Sequence, residues 1–276
     1  MRKSQESLKN IISYYERINE RDRLLSPQGQ LEFVRSKEIV RRYLPNPPAV
    51  VIDVGGGTGR YSCWLAKEGY EVHLVDPVPA LIEEAKRASQ QQADAPIKSI
   101  RAGDARRLDF PDSGADAILM FGPLYHVVHR AERLKALKEA SRTLKKGGLL
   151  FAVGISRFAS LIDGLIQGFS QDPEFVKIVE QDLEDGQHRN PTDNLLYFTD
   201  AFFHRPEELA TEVEEAGFKL LNLVAIDGLG ALIPNLGHLW DDPALRERLL
   251  HFLRWIESEP SLLGVSPHLM CIARKP

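Results

Sequence analysis

Between Ala49 and Gly154 short runs that are apolar on both faces alternate with segments patterned at helical spacing, and this alternation constrains the fold more than any other feature. Ala49–Val54, Glu71–Val75, Ile97–Arg101, Ala115–Phe121 and Gly148–Gly154 read as strands. Arg60–Lys67, Pro79–Gln91 and Arg130–Leu144 read as the helices between them. Strands without a polar face belong in a parallel sheet covered by helices on both sides, so the expected class is α/β, doubly wound. Further on, Pro206 opens a helix closed by Gly217, and Phe218–Ala225 and His268–Ala273 bring the strand count to seven.

Helical patterns from about Ser4 to Asn19 and Gln30 to Leu44 precede this core and stop at Pro45-Asn46-Pro47-Pro48. The expected organisation is an N-terminal helical segment over 1–45 and one domain over 46–276. Two stretches, 156–200 and 227–267, interrupt the alternation and are too long for ordinary connections, which suits lids or specificity elements. The first insert has a net charge of −6, more than the −4 of the whole chain. An acidic balance without a basic run argues against nucleic acid as the partner. Cys63 and Cys271 have no metal-ligand spacing, and no apolar stretch approaches the roughly 18 residues of a membrane span. The reading is a cytoplasmic protein with no metal and no membrane partner.

The chemistry centres on Val51-Ile52-Asp53-Val54-Gly55-Gly56-Gly57-Thr58-Gly59-Arg60, a strand followed by a glycine turn that opens a helix. Such a turn brings backbone N–H groups close to a ligand. A dinucleotide fingerprint needs glycine where Arg60 stands, and a phosphate-binding P-loop fails at Arg60-Tyr61-Ser62. The pattern that fits is acidic-x-G-x-G-x-G, with Asp53, Gly55, Gly57 and Gly59.

That pattern resembles the nucleotide turn of the Rossmann-like (class I) S-adenosyl-L-methionine (SAM) dependent methyltransferases. Asp76-Pro77 ends the second strand, Gly103-Asp104-Ala105 follows the third and Phe121-Gly122-Pro123-Leu124-Tyr125-His126 follows the fourth, all at the strand ends where open α/β sheets bind ligands. Leu31-Glu32-Phe33-Val34-Arg35, the Gly122–His126 stretch, Ile155-Ser156-Arg157 and Tyr197-Phe198-Thr199-Asp200 are similar to a bacterial group that acts on small molecules. The resemblance implies strand order 3-2-1-4-5-7-6, N-terminal helices and a helical lid insert. It also implies SAM as cofactor, bound by Asp53, Gly55, Gly57, Gly59, Asp76, Pro77, Asp104, Ala105, Phe121 and Gly122. Asp76 would face the ribose and Asp104 the adenine amino group. Asp53 would orient the methionine end or merely stabilise the turn, and Arg60 would touch the SAM carboxylate or lie on the helix surface.

Tyr125 and His126, beneath the expected methyl, are the candidate catalytic pair, with His126 as base or aiming group. Tyr14, Arg35, Arg157, His188 and Tyr197 are candidate substrate contacts on the lid or rim, whereas Tyr15 is expected to pack the first helix onto the core. Helix Ser4–Asn19 and insert Ser156–Asp200 would together cover the cofactor. The function so implied is methyl transfer to an oxygen or nitrogen atom of a small molecule by in-line displacement, with room for a homodimer. A non-catalytic SAM-binding regulator and a methyltransferase acting on a macromolecule are the alternatives; Phe121-Gly122-Pro123-Leu124 departs from the Asn/Asp-Pro-Pro-Tyr/Phe of exocyclic-amine enzymes.

Overall fold

The computed structural model describes residues 2–18 and 23–276, with side chains from residue 8 onward. In chain order the elements are α1 (Arg2–Arg17), α2 (Pro27–Arg41), β1 (Val50–Val54), α3 (Arg60–Lys67), β2 (Glu71–Asp76), α4 (Pro79–Gln91), β3 (Ser99–Ala102), β4 (Ala115–Met120) and α5 (Pro123–His126). Next come α6 (Arg130–Thr143), β5 (Leu144–Ser156), α7 (Ala159–Gln167), α8 (Pro173–Asp185), β6 (Gln187–His188), β7 (Ala201–His204) and α9 (Pro206–Glu215). The chain ends with β8 (Lys219–Ala225), α10 (Leu236–Asp241), α11 (Pro243–Ile256), α12 (Pro260–Leu263) and β9 (His268–Arg274).

The parallel core β3-β2-β1-β4-β5 is extended by β9, antiparallel to both β5 and β8. Numbered without the two strands inside the insert, this is the expected order 3-2-1-4-5-7-6. The insert adds β6 and β7, and β7 pairs in parallel with only the end of β5, Ile155 and Ser156. Two apolar layers explain the two-sided strands. Ile52, Val54, Ile118, Met120 and Leu150 pack toward α6 and α9. Val51, Leu74, Leu119, Phe151 and Met270 pack toward α2, α3 and α4. Among the described residues no helix is long and apolar enough to cross a membrane, and no group of three or more His, Cys, Asp or Glu could hold a metal ion.

Local chemistry sets the helix starts. Ser26 caps α2 by accepting the Gly29 N–H at 3.1 Å ahead of Pro27, and Asp172 caps α8 by accepting the Glu174 N–H at 2.9 Å. The described part of the first helix ends at Arg17, and Asn19, its expected last residue, lies outside the described residues.

Candidate active site

The carboxyl ends of β1, β2 and β4 open into a cleft of about 1320 Å³, counting the space at its mouth. One wall is the glycine turn. Gly55 has φ +74°, and a Cβ there would stand 2.6 Å from the Pro123 ring, so the turn and the start of α5 fit together only with glycine. At Gly57, φ +54°, a Cβ would meet nothing within 4 Å, because that side is open cleft.

Asp76 holds the turn in shape, its Oδ2 accepting the Gly57 N–H at 2.9 Å and its Oδ1 the Val78 N–H at 2.8 Å. Asp53, only 1% exposed, accepts the Ser62 hydroxyl at 2.7 Å. Burial raises its carboxyl to about 6, with the Ser62 hydrogen bond opposing that rise and the Asp76 charge adding to it. A buried carboxylate with no cationic partner among the described residues suits the ammonium of SAM's methionine end. The open face at Gly57 and the acid at the β2 terminus suit its nucleoside, so the residues present fit the cofactor.

Pro77, Ala105, Phe121 and Gly122 also line the cleft. Asp104 does so while already engaged: it accepts Arg106 Nε and backbone N–H, each at 2.8 Å, and Arg106 also reaches Glu132 at 3.1 Å. An adenine amino group must share Asp104 with Arg106. Gly59 is placed otherwise than expected. Its N–H is spent on the Gly56 carbonyl at 2.9 Å, its Cα faces Ala85, and it serves the turn from outside the cleft. Arg60 lines the cleft, bonded to the Leu24 carbonyl and lying 4.0 Å from the centre of the Phe33 ring.

Across the cleft stand Tyr125 and His126, with α1 above them through Leu8, Ile11 and Tyr15. The Tyr15 hydroxyl lies 2.8 Å from His126 Nε2, and His126 Nδ1 lies 3.4 Å from the Asp200 carbonyl. A carbonyl only accepts, so Nδ1 carries the hydrogen and Nε2 accepts the Tyr15 proton. Burial lowers the imidazole to about 4, against the pull of the Asp200 carbonyl, so His126 is neutral at physiological pH.

The five candidate substrate contacts lie elsewhere. Tyr14 packs edge-on against Phe198 at 5.5 Å, and Tyr15 takes the cleft position instead. Arg35 is fully buried between Glu38 and Glu257 and donates to the Ile226 carbonyl. Arg157, also buried, donates to the Phe203 carbonyl and Glu208, both at 2.7 Å. His188 is enclosed by Asp182 at 2.9 Å and the Tyr197 carbonyl at 2.7 Å. The Tyr197 hydroxyl donates to Asp172 at 2.7 Å. The expected covering by insert 156–200 is corrected in the same way: among the described residues none of the insert lines the cleft. Its apolar side chains close on one another around Phe175, Ile178, Val179 and Tyr197, while Phe198 and the Asp200 carbonyl back His126 from behind.

Sequence reasoning missed Tyr15, Ser62, Arg106 and Glu132 as site residues. Tyr15 sits on the apolar face of its helix, the one signal that it points inward; nothing local marks Ser62 as the partner of Asp53.

The fold and strand order are those of class I SAM-dependent methyltransferases, and the residues of the cleft fit S-adenosyl-L-methionine as the cofactor. Residues 52–152 match the family model for a methyltransferase domain. Two similar curated proteins are ubiquinone/menaquinone biosynthesis C-methyltransferases UbiE. The one from Zymomonas mobilis is 29% identical over 151 residues, 54% of this chain and 58% of its own length. The one from Acidiphilium cryptum is 28% identical over 197 residues, 70% of this chain and 75% of its own length. A solved SAM-dependent methyltransferase from Thermotoga maritima superposes with a TM-score of 0.59 at 22% identity, covering 96% of this chain and 99% of that one.

Proposed function

We propose that the chain methylates a small molecule seated between α1 and the end of β4, with His126 taking the acceptor's proton and Tyr15 closing over it. The observation that carries this reading is the 2.8 Å hydrogen bond from Tyr15 to a neutral imidazole inside the cleft. When bound, SAM supplies an electrophilic sulfonium methyl, so the chain has to bind, orient and exclude water. The glycine turn, Asp53 and Asp76 hold the cofactor. Tyr125 and Tyr15 flank His126 with their rings, at 4.7 and 5.4 Å, and form an aromatic wall that excludes water. His126 Nε2 keeps a lone pair available at physiological pH. An acceptor O–H or N–H that takes the place of the Tyr15 hydroxyl gives its proton to that lone pair, and the Asp200 carbonyl holds the ring in the required tautomer.

A carbon acceptor is the second reading, favoured by the UbiE relatives, which are C-methyltransferases. The same lone pair would then take a proton from an acidified carbon or from the hydroxyl that activates it. The test is turnover of SAM to S-adenosylhomocysteine with panels of phenols, amines, quinols and RNA, followed by mass location of the methyl group. Turnover with a small molecule that drops at least tenfold in both Tyr15→Phe and His126→Gln supports the proposal. Turnover with RNA alone, binding without turnover on any panel, or full activity in both variants overturns it.

A further inference from the structure

Ser62 belongs to no motif that the glycine turn defines, yet its side chain is wholly buried and its hydroxyl donates to Asp53 Oδ2 at 2.7 Å. Every other element packed on Asp53 withholds charge compensation. From β1's neighbours, β2 contributes Leu74 beside it and the acid Asp76 at its end, and β4 contributes Leu119. From α3 comes Cys63, whose thiol burial pushes up and the Asp53 charge pushes up further. Among the described residues no lysine, arginine or histidine acts on Asp53, and Ser62 is the side chain among them that favours its charged form.

We infer that Ser62 is a positioning residue: it holds Asp53 as an aimed carboxylate for the cationic end of the cofactor and thereby couples cofactor binding to the Asp53 proton. This rests on the reading that Asp53 faces the cofactor's methionine end. Near pH 6 the carboxyl of the free protein is partly protonated, and a bound ammonium stabilises only its ionised form. Binding therefore releases a proton, and affinity falls as pH falls through that range. His126 titrates lower, at about 4, and is neutral across the window.

The experiment is calorimetric titration with S-adenosylhomocysteine, which carries the ammonium and undergoes no methyl transfer, between pH 5 and 8.5 on the full chain. For the natural protein, affinity is expected to be level above about pH 6.5 and to fall about tenfold per pH unit well below 6. In Ser62→Ala the bend moves up by about one pH unit, giving a several-fold loss at pH 6.5 that disappears by pH 8.5. Ser62→Thr, which keeps the hydroxyl, restores the natural profile. In Asp53→Asn binding is weak and no bend is present. An equal loss at every pH in Ser62→Ala, or an unmoved bend, overturns the role of Ser62. Natural affinity and profile in Asp53→Asn overturn the underlying placement of the cofactor instead. If Ser62→Ala does not fold, Ser62→Thr and the natural protein still decide, since a flat profile in either contradicts proton coupling.

Discussion

A carboxylate that is 1% exposed and has another aspartate as its charged neighbour, as Asp53 does, is disfavoured in its ionised form. The stability consequence has a definite sign. Between the ordinary value of 3.8 and about 6 the folded chain holds more protons than the unfolded one, so stability falls as pH rises across that window. Above about 6 the full penalty is present, on the order of 3 kcal/mol. Asp53→Asn should therefore melt at a higher temperature than the natural protein at pH 7.5, with the gain vanishing near pH 4. Thermal denaturation at the two pH values checks this, and a variant less stable at pH 7.5 contradicts it. His126 is a contrasting case, because burial lowers it to about 4 and its lone pair survives at neutral pH. His126→Gln should lower kcat by about 10²–10⁴ while S-adenosylhomocysteine still binds, and Tyr15→Phe should cost less because Nε2 remains. Initial rates alongside calorimetry separate the two effects.

Helices behind the site set where these groups stand. Arg133 of α6 holds Glu212 of α9 with two bonds, Nε at 2.8 Å and Nη2 at 2.6 Å. Its Nη1 donates to the carbonyls of Val127 and Val128, at 3.1 and 2.6 Å, the residues directly after His126. The pair is almost wholly buried, and removing one partner leaves an uncompensated charge. Arg133→Ala should cost about 3–5 kcal/mol in urea denaturation, and Arg133→Met nearly as much, because it too leaves the Glu212 charge unpaired. Burial opposes ionisation of Glu212, but the Arg133 hydrogen bonds, with the His204 ring 3.5 Å away, prevail and hold its carboxyl at about 2. Its stabilising contribution is therefore complete above about 4.5 and is lost as pH falls through about 2, so Glu212→Gln should flatten the acid limb of a stability curve. None of this pairing was visible in the sequence. Arg133 and Glu212 give no local sign of pairing, and Arg35 reads as a substrate contact instead of a buried ion pair, because their partners come from distant parts of the chain. The insert's acidity misleads for the same reason: Asp182 is spent on His188 and Asp172 on Tyr197.

At the scale of the whole molecule, the part legible in the sequence is the part specified by period. Two-sided apolar strands, helix starts and the glycine turn are local signals, and they place Asp53, Asp76 and the Gly122–His126 stretch at one edge of one sheet. Periodicity also finds the inward face of α1. It does not say whether inward means packed core or open cleft, which is how Tyr15 and Tyr14 exchange roles. Among the described residues, the two large apolar clusters that join the sheet to its helices contain none from α1; Ile11 is buried at the cleft side. The fold and the covering of the site are therefore separable. A chain lacking residues 2–18 should keep its cooperative melting transition and lose only a few degrees of Tm. It should bind S-adenosylhomocysteine about tenfold more weakly, through loss of the Leu8, Ile11 and Tyr15 wall, and should turn over at least 10²-fold more slowly. Adding back α1 as a separate peptide should restore part of the turnover in proportion to peptide concentration. Loss of the cooperative transition would show that α1 is part of the core, and unchanged turnover would show that the cleft is closed by something else.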